Sequence, residues 1–189
     1  MRLSSAISST IATALTVLNF TACDDAPSAV SHESLHDASQ VRAVAARSSS
    51  LSPSTAELVR KLHAASARYH STQQATAAGY EVSSPCVAEP GLGGMGFHWV
   101  NGGLVDPAFD PMQPEALVYA PNAEGKLKLV ALEYVVIDVG QPAPTFGDQP
   151  FDVGGLPIPA PHWSLHVWLH KDNPSGIFAP FNPTVTCPS

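Results

Sequence analysis

From His162 to His170 the chain alternates. Trp163, Leu165, Val167 and Leu169 are apolar at the odd positions, and His162, Ser164, His166, Trp168 and His170 occupy the even ones. A period of two belongs to a strand with one face in a core and the other free for polar chemistry. Pro161 in front and Asn173-Pro174-Ser175-Gly176 behind bound it. The conformation decides what the histidines can do. On a helix, residues four apart lie about 6 Å from one another and can share an ion. On a strand the same spacing is roughly 13 Å, at about 3.3 Å per residue. At most one of His162, His166 and His170 therefore belongs to any single site, and its partners come from other strands.

A period near 3.6 appears earlier. Ser54-Thr55-Ala56-Glu57 has the form of a capping box, and Leu58, Leu62, Ala65 and Tyr69 follow on one face as the pattern runs to Ala78 before Gly79. This predicts one long helix docked on a sheet, with His63, Ser66 and His70 on its solvated side. Strands are predicted over 96–100 and 115–119 and a long one over 127–138, the last two joined by a hairpin turn at Pro121-Asn122-Ala123-Glu124-Gly125. Residues 85–96 read as a Gly/Pro-rich loop. Residues 140–161 are rich in proline and glycine without a regular pattern, which predicts a lid or binding loop. The sum is α+β, one long N-terminal helix packed on a curved antiparallel sheet. The alternative is a small β-barrel or sandwich with the helix outside.

Length and composition add the boundaries. A chain of 189 residues with 44% hydrophobic content is one ordinary domain with appendages. The net charge of −7 and the lack of any basic cluster exclude nucleic acid as a partner class. At the N-terminus, Arg2 precedes an apolar stretch over 3–20 that is diluted by Ser and Thr and ends at Thr21-Ala22-Cys23. That is the layout of an export signal over 1–22. Phe20-Thr21-Ala22-Cys23 resembles a bacterial lipobox, which implies lipidation of Cys23 and anchoring in the cell envelope; simple secretion is the alternative. The apolar stretch is too short and polar to span a bilayer of about 30 Å. Residues 23–53, rich in Ser, Ala and Asp, read as a flexible tether, in which His32 and His36 are solvated. A single globular domain then occupies 54–189.

Cys86 and Cys187 remain once Cys23 is set aside. In an exported chain they predict a disulfide closing about a hundred residues and contributing roughly 4 to 5 kcal/mol. Neither has the neighbours of a zinc ligand.

The candidate chemistry rests on Glu133. It lies in an eleven-residue run, Leu127 to Ile137, whose face otherwise carries Leu127, Leu129, Ala131, Val135 and Ile137. A carboxylate buried there requires a hydrogen-bonded partner, an opposite charge or a cation. His98, between Phe97 and Trp99, and His166, between Leu165 and Val167, pose the same problem. Two imidazoles and a carboxylate from three strands suit Zn, Fe or Mn with positions left for water or substrate. His162 is the reserve ligand. A metal-free hydrogen-bonded pair of Glu133 with either histidine, or three unrelated positions, are the competing readings. His170, beside Lys171 and Asp172, reads as exposed, and Tyr134 as core. Asp106, Asp110 and Glu115 read as loop or edge acids. Trp99, Trp163 and Trp168 with Phe178 and Phe181 could line a pocket for a small apolar ligand. The motifs of serine hydrolases, zincins and nucleotide-binding folds do not occur, so no nucleotide cofactor is expected, and the catalytic residues and the reaction stay open.

Met95-Gly96-Phe97-His98-Trp99-Val100-Asn101, Gln113-Pro114-Glu115-Ala116-Leu117-Val118-Tyr119, Val130-Ala131-Leu132-Glu133-Tyr134-Val135-Val136, and Leu165-His166-Val167-Trp168-Leu169 with Asn173-Pro174-Ser175-Gly176-Ile177-Phe178-Ala179-Pro180 carry a resemblance. The chain from Gly94 onward resembles a family of exported bacterial proteins with no assigned function. The resemblance covers about the last half, implies one natural domain, and supplies no reaction.

Overall fold

The computed structural model describes residues 51–155 and 158–188. The expected signal segment, Cys23 and nearly all of the tether lie outside the described residues. The helical segment begins at α1 (Pro53–Ser66), passes through a 3-10 turn (Ala67–His70) and resumes as α2 (Thr72–Ala77). It covers the expected range, but it is not one helix. Ser66 turns its hydroxyl back onto the Leu62 carbonyl at 2.7 Å, which competes with regular winding. Ser71 then adopts an extended conformation and accepts from the Gln74 amide, the start of a second capping box, Ser71-Thr72-Gln73-Gln74. The first helix is capped by Ser52, not Ser54. Pro53, with no amide hydrogen to lose, occupies the first helical position, and Glu57 pairs outward with Arg60 and Lys61.

Nine strands follow among the described residues: β1 (Glu81–Val82), β2 (Val87–Glu89), β3 (Gly93–Val100), β4 (Ala116–Pro121), β5 (Leu127–Ile137), β6 (Thr145–Phe146), β7 (Gln149–Pro150), β8 (Asp152–Val153) and β9 (His162–Val167). Seven form an open antiparallel sheet in the order β1-β3-β4-β5-β9-β8, with β2 also on β3, and β6 pairs with β7. The sheet does not close, so the barrel alternative falls. Among the described residues no helix is long and apolar enough to cross a membrane.

Strand alternation sends two sets of side chains to opposite faces. One face carries Leu117, Tyr119, Leu132, Tyr134, Val136, Leu165 and Val167 and packs against Val59, Leu62 and Tyr69 of the helical segment. Complete burial of an aliphatic side chain such as Val59 or Leu62 contributes about 1.5–3 kcal/mol. The other face has a smaller core of Val118, Ala120, Val130, Ala131, Trp168 and Val185. A bulge opposite Val118 and Tyr119 leaves Val130 without a cross-strand partner. It moves Leu129 to the helix-side core, so simple alternation along β5 misplaces that residue.

Among the described residues of the expected lid, those over 145–151 pack away from Glu133 and do not cover it. Phe146 and Phe151 are buried, with ring centroids 5.6 and 5.8 Å from that of Tyr134, on the face opposite to Glu133. Asp148 accepts from Ser52 and Thr55 at the start of α1. On the Glu133 side, the C-terminal segment is fastened by the disulfide between Cys86 and Cys187. A bridge from Gly94 to Asn182 aligns it, and Val185 covers the small core. A Cβ on Gly94 would come within 2.8 Å of Val185, and one on Gly96 within 2.4 Å of the Tyr119 carbonyl. The glycines of β3 thus permit close packing.

Candidate metal centre

β3, β5 and β9 each contribute one polar residue to the face with the small core. Glu133 is directly opposite His166 in the β5–β9 ladder. His98 is farther away, because β4 runs between β3 and β5. On this face β4 presents Ala116 opposite Glu133 and Val118 opposite His98. Both are small, so the longer imidazole and carboxylate meet above them. His98 Nε2 lies 3.4 Å from Glu133 Oε2, and His166 Nδ1 lies 3.8 Å from Glu133 Oε1. One ligand atom from each of the three residues lies within 4.8 Å of the others, and all three residues are buried.

The hydrogen-bond inventory decides which imidazole nitrogen of His98 faces the carboxylate. Ser84 Oγ donates its one hydrogen to the Pro85 carbonyl at 2.9 Å, so it accepts from His98 Nδ1 at 3.1 Å. His98 Nε2 then carries the lone pair. It is buried without a hydrogen-bond partner, as is His166 Nε2. A ligating histidine whose other nitrogen donates to an oxygen has its tautomer and ring orientation fixed for the ion. Ligand bonds of 2.0–2.1 Å place two donors of a tetrahedral ion about 3.4 Å apart. The His98 to Glu133 separation already matches, and the His166 contact needs a few tenths of an ångström. The same separations are too long for good hydrogen bonds. The cluster is better suited to a cation than to a direct His–Glu pair.

Electrostatics point the same way. Burial raises the Glu133 carboxyl from 4.5 to about 8, with Glu115 adding to the rise. Burial lowers His98 from 6.5 to about 4; it lowers His166 to about 3, with His98 adding to the fall. Near neutral pH, without an ion, the three groups are uncharged. A divalent cation supplies the compensating charge that lets the carboxylate ionise. The Glu133 side chain retains 12% exposure, so the cluster is open to solvent on that side.

The other sequence candidates lie elsewhere. His162 is at the far end of β9 opposite Ile137, with Nδ1 2.8 Å from the Ala160 carbonyl, and is outside the cluster. Tyr134 is core, and its hydroxyl donates to the Pro111 carbonyl. The tryptophans do not converge: Trp99 and Trp163 belong to the helix-side core, whereas Trp168 is buried on the other face and donates to the Ala179 carbonyl. Two readings need correction. Glu115 is not an edge acid; it is 2% exposed, accepts from the Val135 amide at 2.9 Å, and is raised to about 7 by burial. His170 is not exposed, Ser66 is buried rather than on a solvated face, and His63 and His70 are not isolated solvated side chains, because both rings meet that of His170, which Ser66 holds. The single hint for Glu115 was its place between Pro114 and an apolar run. Nothing local signalled the meeting of His63 and His70 with His170, which is a hundred residues beyond His70.

Compared with protein-family models, curated proteins and solved structures, the chain has no match.

Proposed function

We propose that this chain is an exported, membrane-tethered domain that binds one divalent metal ion, Zn, Fe or Mn, through His98, Glu133 and His166. The observation that carries the reading is the convergence of two imidazoles and a carboxyl within 4.8 Å, with His98 Nε2 buried against the carboxyl and without a hydrogen-bond partner. Three protein ligands leave at least one coordination position for water or a small-molecule substrate, where the ion polarises the bound group. Export is supported by the apolar 3–20 stretch ending at Cys23 and by a disulfide of a kind that persists in oxidising compartments. Lipidation of Cys23 provides the tether in this reading.

Elemental analysis of protein purified without chelator tests it. One equivalent of metal in the wild type, lost in both His98→Ala and Glu133→Ala, supports the centre. No metal in the wild type rejects it. That outcome favours a metal-free module that takes a small ligand or a surface partner, for which a cleft of about 240 Å³ lined by Leu62, Tyr69, Tyr80, Leu104 and Met112 is the supporting observation. A Cys23→Ser variant that still incorporates radiolabelled palmitate would reject the anchor.

A further inference from the structure

A second imidazole cluster lies at the junction of the helical segment and the end of the sheet. His63 comes from α1, His70 from the last position of the 3-10 turn, and His170 from the chain just beyond β9. The His63 and His170 rings stack, with centroids 4.7 Å apart and planes 25° from parallel. His70 meets His170 edge-on at 4.6 Å, and its Nε2 is 3.2 Å from His170 Nδ1.

Ser66 fixes the central ring. Its hydroxyl lies 2.7 Å from the Leu62 carbonyl and donates there, so it accepts from His170 Nε2, 2.8 Å away. His170 therefore carries its lone pair on Nδ1, directed at His70 Nε2. A ligand imidazole is held in the same way when its remote N–H is bound to an oxygen. Two nitrogens 3.2 Å apart match neighbouring ligands on an ion with bonds near 2.0–2.1 Å, whose donors are about 3.3 Å apart. In the absence of an ion, one hydrogen occupies that gap; a cation can take its place. His63, half-buried, stacks its ring on His170 beside the pair.

We propose that His70 Nε2 and His170 Nδ1, with the His63 ring stacked against His170, form a second, two-imidazole metal site for a cation that favours nitrogen, Cu(II) above all and then Ni(II) or Zn(II). It differs from the His/Glu centre by its imidazole-only donors. It ties the helical segment to the chain leaving β9.

The test is Cu(II) titration of the full chain, with equilibrium dialysis for stoichiometry and electron paramagnetic resonance for donor type. The Glu133→Gln variant is expected to keep one Cu(II) with nitrogen hyperfine structure. Adding His70→Ala, at an exposed position, is expected to lower its affinity at least tenfold while near-ultraviolet circular dichroism stays native. A Glu133→Gln protein that binds no Cu(II), or one whose affinity is unmoved by His70→Ala, overturns the proposal. A single equivalent in the wild type, lost with His70→Ala and unaffected by Glu133→Gln, upholds this site and rejects the His98, Glu133 and His166 centre.

Discussion

Glu133 sits in an environment that disfavours its ionised form, and the sign of its effect on stability changes with metal. Without an ion, a carboxyl raised from 4.5 to about 8 gives its full contribution to folding below pH 4.5 and loses it as pH rises through 8. His98 and His166, lowered from 6.5, contribute fully above that value and lose it as pH falls through about 4 and about 3. The chelated protein is therefore expected to be most stable between about pH 5 and 6, with Tm declining on both sides. Saturating Zn(II) should remove the Glu133 part of the alkaline decline, because the ion selects the ionised carboxylate and neutral imidazoles. Thermal scans from pH 4 to 9 with chelator and with zinc check this, and parallel curves would contradict it. Glu133→Gln should flatten most of the alkaline decline in chelator, leaving a smaller slope from Glu115, and should abolish the zinc effect. Ser84→Ala frees His98 to take the other tautomer, so metal affinity should fall 10- to 100-fold, measured by chelator competition, with the fold retained.

At the scale of elements, the three centre residues could be found from sequence because each interrupts an apolar strand. That conflict is local and survives ignorance of strand order. What a single strand cannot state is who its neighbours are. The small side chains of β4 let His98 reach Glu133, yet Ala116 looks in sequence like any strand alanine. The bulge at Val130 and the direction taken by residues 145–153 depend on packing across the sheet. The helix break was written in Ser71 and Gln74, but the longer apolar period masked it. Ala116→Leu tests the role of β4 directly. It places a branched side chain between the two ligands in a fully buried position. The expected result is a loss of about 1–3 kcal/mol in urea unfolding together with loss of metal. An enlarged residue at Ala120, on the same face of β4 two pairs beyond Val118, should carry a similar stability loss and keep the metal.

For the whole molecule, the disulfide and the centre share one short piece of chain. Ser84 holds His98, and Cys86, two residues on, is joined to Cys187 across a separation of 101 residues. Reduction releases the C-terminal segment that covers the small core, and with it the loop that presents Ser84. The disulfide is worth roughly 4 to 5 kcal/mol in the chain-entropy model, a large part of a total stability of about 5–15 kcal/mol. Metal at a hundred times its Kd adds about 2.7 kcal/mol by mass action. Independent staples would make these increments additive. A shared loop makes them cooperative, because metal binds more tightly when Ser84 is already in place. Four unfolding experiments, oxidised or reduced and with zinc or chelator, form a thermodynamic cycle. The expected coupling energy is about 0.5–3 kcal/mol, the range for residues linked through one network. The reduced, chelated protein should be the least stable, but by less than the sum of the two single losses, because the zinc effect in the reduced form is smaller than in the oxidised form. Equal zinc effects in both redox states would mean that Ser84 keeps its position without the disulfide, and that the covalent link serves the fold alone.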